Sequence, residues 1–302
     1  MQLIRTPEQQ SASRPLRARA LRTLIGCVGA FTLLWLVFIQ TEAGRRFGNS
    51  AWSGRRALPH AVRAMNDSAL RTITTTSLAA GCVALLVVGL LRRRFVLGIA
   101  AVAVVAASTL SAEFLKRFVI TRPPTPGEVL RISGNSFPSG HATITTSLAL
   151  AAIMLTPHRW RRIVAVGLSL AVTFQTAGVL AAGWHRPSDA LSGYAIALGW
   201  ASVAVWLLAR MGRVTAHGGE LAGTEVTTRL FIGAGVVTLS GLAVAALTPH
   251  SAAPENALAL VLATATIDVV GVAVVWWFWR LLRDWTLDPS NEHPDHSERI
   301  EK

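Results

Sequence analysis

Phe137-Pro138-Ser139-Gly140-His141 leads into an apolar run that ends near Thr156, and Gly183-Trp184-His185-Arg186-Pro187-Ser188-Asp189 leads into another that ends near Ala209. Each run approaches the ~20 residues that carry an α-helix across ~30 Å of hydrocarbon. A histidine therefore stands at the start of each of two membrane-length helices. If both helices start on the same side of a membrane, two imidazoles, a carboxylate, a hydroxyl and several cationic side chains converge at one aqueous surface. Such a surface is an anion site with catalytic groups in it.

The rest of the chain fits a membrane solvent. Of its 302 residues 52% are hydrophobic and only 15% charged, too apolar for an ordinary soluble domain of this length. The formal charge of +13 sits in short arginine clusters between apolar runs and does not form a basic domain with interleaved polar surface. That pattern excludes nucleic acid as a partner and suits anionic lipid headgroups, which attract each juxtamembrane Arg by roughly 1 kcal/mol. The two cysteines, Cys27 and Cys82, lie inside apolar runs, so neither a disulfide framework nor a zinc site is expected.

The expected fold is all-α, a polytopic bundle of about eight transmembrane helices over residues 21–285. The spans are placed near 21–39, 72–91, 95–115, 140–156, 163–183, 188–209, 229–248 and 256–282. Residues 1–20 and 286–302 are expected to be disordered tails. The polar loop 40–71 carries five arginines among Phe47, Trp52, Leu58 and Val62, the pattern of a helix lying in the headgroup plane. Arg92-Arg93-Arg94 is a turn at a membrane surface, and His158-Arg159-Trp160-Arg161-Arg162 marks the same side. The Lys/Arg asymmetry puts both termini in the cytoplasm of a plasma-membrane protein and both histidine segments on the outer face. Asp268, near the middle of the last span, is expected to be neutral or paired inside the bundle. Trp276, Trp277 and Trp279 read as the aromatic belt of that helix.

The chemistry lies between Lys116 and Asp189. A helix beginning after Ser139 leaves its first N–H groups pointing outward with the positive end of its dipole behind them, an arrangement that receives phosphate. Ser139 is a good N-cap and Gly140 lets a ligand approach the backbone. His185 and Asp189 are four apart, so the carboxylate can accept from one ring nitrogen and leave the other nucleophilic. Lys116, Arg122 and Arg131 lie between the helix ends, where a phosphate needs cations. Each has a plainer reading: Ser139 as a simple cap, His141 at the interface, Asp189 complementing a helix dipole, the cations solvated.

Taken together, Lys116…Arg122-Pro123, Pro138-Ser139-Gly140-His141 and His185…Asp189 resemble the type-2 phosphatidic-acid phosphatase superfamily, which shares its site with vanadium haloperoxidases. The resemblance covers roughly residues 70–210, the six-helix part of its membrane members. It implies that His185 attacks phosphorus, Asp189 orients it and His141 protonates the leaving group and later activates water. Lys116, Arg122, Ser139 and Gly140 would hold the phosphoryl oxygens. It implies no metal and no other cofactor. The implied substrate is a lipid phosphate or polyprenyl (di)phosphate, hydrolysed at the extracytoplasmic face.

Two departures stand out. Five residues separate Lys116 from Arg122, where the family has six, and the Ser-Arg that opens its third motif is here Gly178-Val179. Losing one charged contact costs on the order of 1.5–3 kcal/mol unless replaced. Arg186, Arg131 and Arg117 are the available substitutes, and the small residues at Gly178 and Ala181 to Gly183 leave room for a bulky headgroup. The alternative is a non-hydrolytic member that binds or carries anionic lipids. A small-molecule permease is disfavoured because the bundle carries few charges apart from Glu113 and Asp268.

Overall fold

The computed structural model describes residues 13–124, 135–216 and 253–288. Over these the protein is an all-α bundle with one small strand pair. Helix α1 spans Arg14–Trp35 and continues as a π-helical turn, Leu36–Gln40; α2 is Glu42–Gly54, α3 His60–Leu70, α4 Thr75–Leu91 and α5 Phe95–Phe114, the last extended by a π turn, Leu115–Val119. Then come α6 (Gly140–Leu155), α7 (His158–Ala182), α8 (Pro187–Arg210), strand β1 (Val214–Ala216), α9 (Pro254–Leu282) and strand β2 (Trp285–Leu287).

Among the described residues, Arg14–Gln40, Phe95–Val119, His158–Ala182, Pro187–Arg210 and Pro254–Leu282 are long and apolar enough to cross a membrane. The chain is therefore a multi-pass membrane protein. Helix α6, with 16 residues, is shorter, and α3 and α4 are separated by a 57° bend. The expected span 229–248 lies outside the described residues.

Several boundaries differ from expectation, each for a local reason. Helix α1 starts at Arg14, inside the presumed tail, because Leu16, Ala20, Thr23 and Cys27 continue its buried stripe along α8. Helix α7 starts at His158, so the arginine cluster is its first turn and not a loop. Arg161 is buried there, and its Nη1 donates to the carbonyls of Leu282 (2.7 Å) and Trp285 (2.9 Å). It satisfies the last carbonyl of α9 and the first of β2 instead of reaching for headgroups. Residues 286–288, assigned to the C-terminal tail, are also ordered: Val214 to Ala216 pair antiparallel with Leu287 to Trp285, and Arg213 meets Asp288 at 2.7 Å. Trp279 is buried in the core, stacked 4.1 Å from Trp276, whereas Trp277 is exposed and donates to Thr23. Only the last of these three belongs to a surface belt.

Helices cannot gain from hydrophobic exclusion inside lipid, so close approach through small residues holds them together. At Gly193 of α8 an added Cβ would lie 2.9 Å from Thr143 Oγ1 and 3.0 Å from the Ser139 carbonyl of α6. The backbone N–H of Ser139 donates to the Asp189 carbonyl at 2.8 Å. These contacts bring the starts of α6 and α8 together at one end of the bundle. The same end receives the C-terminus of α5 and, from the 40–71 loop, the hairpin formed by α2 and α3. The hairpin is not a single interfacial helix: α2 packs on α9 and α3 on α7.

Candidate functional site

The two imidazoles face each other across this end, their ring centroids 6.2 Å apart. Ser139 caps α6, its Oγ accepting from the Ala142 N–H at 3.3 Å. Gly183, at φ 79°, turns α7 into α8 in the left-handed region that favours glycine, and so delivers His185 to the start of α8.

His185 is anchored through Nδ1. Its N–H donates to the Ser136 carbonyl, 3.0 Å away, while Asp189 Oδ2 stands at 3.6 Å. The expected hydrogen bond from the ring to Asp189 is thus taken by a main-chain oxygen, with the carboxylate as a near neighbour. With Nδ1 donating, Nε2 carries the lone pair. Asp189 is fully buried, and its Oδ2 accepts from Ser136 Oγ at 2.6 Å and from the Arg186 backbone N–H at 3.0 Å. Arg122 Nη1 lies 3.7 Å from its Oδ1. A buried carboxylate needs such donors and a counter-charge.

Lys116 reaches the other histidine's side. Its Nζ donates to Glu113 Oε1 at 3.0 Å, and a Cβ built on Gly140 would lie 3.6 Å from that Nζ and 3.2 Å from Glu113 Oε1. The Gly140 backbone is thus close to the Glu113–Lys116 pair, with the tighter approach to the Glu113 carboxylate. Lys116, Gly140, His141, His185 and Asp189 are therefore together, and Arg122 and Ser139 border the same place.

The proposed substitutes for the absent arginine fare differently. Arg131 lies outside the described residues. Arg117 is largely exposed and pairs with Glu113 at 3.1 Å. Arg186 turns inward and is 2% exposed, with Nε donating to Asn49 Oδ1 at 2.6 Å and Nη1 to Ser136 Oγ at 3.5 Å. It stands over the Asp189 network. The room expected at the end of α7 is filled by the hairpin: Asn66 Oδ1 would lie 2.7 Å from a Cβ on Gly178, and Arg55 occupies the space beside Gly183.

Several residues of this site were not singled out in the sequence. Ser136 anchors both His185 and Asp189. Asn135 ties the loop ends, donating from Nδ2 to the carbonyls of Lys116 (3.2 Å) and Ile120 (2.5 Å). Trp184 meets His141 edge-on, centroids 5.0 Å apart at 80°, and its Nε1–H donates to Asp67 Oδ1 at 2.7 Å. Trp52 donates to the Gly183 carbonyl at 2.7 Å. Hydrogen bonds from Arg71 and then from Trp184 hold the Asp67 carboxyl below the usual carboxylate range. The sequence carried no such signal: the 40–71 loop reads only as a helix in the headgroup plane.

Comparison with known families finds that residues 97–213 match the model of the PAP2 superfamily. No curated protein and no solved structure matches the chain. The matched stretch runs from α5 to the end of α8 and includes both histidines, whereas the hairpin and α9 lie outside it. The segment that builds the histidine pair is therefore similar to the PAP2 superfamily over residues 97–213.

Proposed function

We propose that the protein is a membrane phosphatase that hydrolyses a lipid phosphate or polyprenyl diphosphate through a phosphohistidine. The match of residues 97–213 to the PAP2 superfamily points to a phosphatase-type hydrolase. The observation that carries the finer reading is the facing pair of imidazoles, 6.2 Å apart, with His185 held by Nδ1 so that Nε2 is free. One tetrahedral phosphoryl group bridges such a gap.

In the first step His185 Nε2 forms a bond to phosphorus as the P–O bond to the lipid breaks, and His141 gives its proton to the departing oxygen. Phosphorylation at Nε2 makes the His185 ring cationic while Nδ1 keeps its proton. The Ser136 carbonyl at 3.0 Å and the Asp189 carboxylate at 3.6 Å stabilise that charge. In the second step His141 takes a proton from water, the oxygen attacks phosphorus and the P–N bond breaks. The Lys116 ammonium, the Gly140 N–H and the start of α6 face the equatorial oxygens, where negative charge builds. Arg122 supplies further positive charge from the Asp189 side.

An extracytoplasmic site suits a substrate whose tail stays in the bilayer. The opposite end carries Arg92 to Arg94, Arg159, Arg162, Arg210, Arg213 and Arg283, which supports placing it in the cytoplasm. Several arginines of the 40–71 loop are engaged locally: Arg45 on the carbonyls of Ile39 and Gln40, Arg46 on Glu42 and Arg71 on Asp67.

The test is phosphate release by detergent-purified full-length protein from phosphatidic acid and farnesyl diphosphate, followed by alkaline-quench trapping of an alkali-stable, acid-labile phosphoenzyme. Release inhibited by vanadate and lost in His185→Ala is the expected result. Release that persists in His185→Ala overturns the mechanism. Lipid binding without release favours the non-hydrolytic carrier, for which the absence of an arginine at Val179 speaks.

A further inference from the structure

The α2–α3 hairpin lies outside the residues matched to the family, yet its side chains end on the chain segment that holds the histidines. Helix α3 carries Asn66 and Asp67 on the face turned to α7. Asn66 sits at Gly178, and Asp67 accepts from Trp184, the residue before His185 and the edge-on neighbour of His141. Arg71, one turn further, donates to Asp67 Oδ2 at 2.9 Å and lies over the Trp184 ring, 5.7 Å from its centroid. The indole is thus fixed at its Nε1 end and over its face by α3, and its free edge or face bounds one side of His141.

We infer that Asp67 is a positioning residue for His141, acting through Trp184, and that the hairpin is part of the catalytic apparatus. An indole with an unmade N–H bond has several rotamers; with the bond to Asp67 it has one. His141 then keeps one orientation toward the phosphoryl group, the preorganisation on which proton transfer depends. The titratable groups that face His141 are Lys116 and Glu113 from α5 and its π turn, and His185 from just before α8. None of them lies on the hairpin, so Asp67 reaches His141 by way of the indole.

The inference rests on the phosphatase reading for its kinetic arm and stands without it for its spectroscopic arm. Full-length protein with ring-labelled histidine is titrated by NMR in micelles, the His141 resonance being assigned by its loss in His141→Asn. Asp67→Ala and Trp184→Phe are each expected to move the His141 midpoint by about 0.5 pH unit or more. The double variant should move it no further than either alone, because both break one contact. Asp67→Asn keeps an acceptor for the indole and removes the charge, so it should leave His141 near its original midpoint; Met65→Ala, at an exposed position of the same helix, should also leave it there. With dioctanoyl phosphatidic acid as substrate, Asp67→Ala is expected to lower kcat about tenfold with KM nearly unchanged. An unmoved His141 midpoint in both Asp67→Ala and Trp184→Phe, or shifts that simply add, overturns the inference. So does a shift in Asp67→Asn as large as that in Asp67→Ala, which would make the effect one of charge at a distance. Absence of turnover by the unaltered protein counts against the phosphatase reading and leaves the titration to decide this one.

Discussion

The His185 ring donates to the main chain of Ser136, and the side chain of the same serine donates to Asp189. One residue therefore fixes the tautomer of the candidate nucleophile through its carbonyl and steadies the neighbouring carboxylate through its hydroxyl. The two roles separate by mutation. Ser136→Ala keeps the carbonyl and loses only the hydroxyl, so kcat is expected to fall by about tenfold, whereas His185→Ala should leave only background phosphate release. His141→Gln should lie between, about 10²–10⁴-fold down. Initial rates of phosphate release on matched, folded samples decide the order.

Asp189 is expected to matter for folding as well as for rate. It is buried, and Arg122 lies close by, so Asp189→Ala removes one half of a buried charge pair, a change that costs about 3–5 kcal/mol. Thermal melting in detergent should show a large drop for Asp189→Ala. Asn49→Ala, which removes the acceptor of Arg186 Nε, should show a smaller one.

Much of this end was legible in the sequence because each cue was local. Ser139 before an apolar run announces a cap, and the four-residue spacing of His185 and Asp189 announces a pair even though His185 precedes α8. Ser136 was not legible, since its part is played by a carbonyl that every residue has. The hairpin escaped for another reason: Asn49, Trp52, Asn66 and Asp67 act across 112 to 137 residues of separation, and nothing near them in the chain signals the partner. The arginine clusters misled in part, because Arg161 and Arg186 look like surface cations in a string of letters and are buried in the fold.

Position 178 offers a test of the hairpin's packing. A Cβ there would meet Asn66 Oδ1 at 2.7 Å, so Gly178→Ala should force the amide to rotate and give up its bond to the Val62 carbonyl. The expected loss is about 1 kcal/mol. Asn66→Ala should relieve the clash, so that the double variant melts no lower than Asn66→Ala alone.

Acidification probes Asp67. Its carboxyl is held below the usual range in the folded protein, so the contacts it makes contribute fully above the ordinary value of about 3.9 and fade as pH falls below it. Protease cleavage within 60–71 should accelerate below about pH 4 in the unaltered protein. In Asp67→Asn the cleavage rate should show no such rise tied to this group.

Arg161→Ala should destabilise without touching the chemistry. It removes donors from the carbonyls of Leu282 and Trp285, and a charged hydrogen bond of this kind is worth about 1.5–3 kcal/mol. Below the lowered melting point, phosphate release should match the unaltered protein.

Helix α9 is fastened at both extremities. Near its start a Cβ on Gly54 would overlap the carbonyl of Asn256, and at its finish Arg161 and the β1–β2 pair grip it. It works as a splint running the height of the molecule, with the hairpin lashed to one tip and α7 to the other. Such a member does not depend on an unbroken peptide link to stay in place. Two co-expressed polypeptides, severed directly after Ala216, should therefore find each other in the bilayer and co-purify.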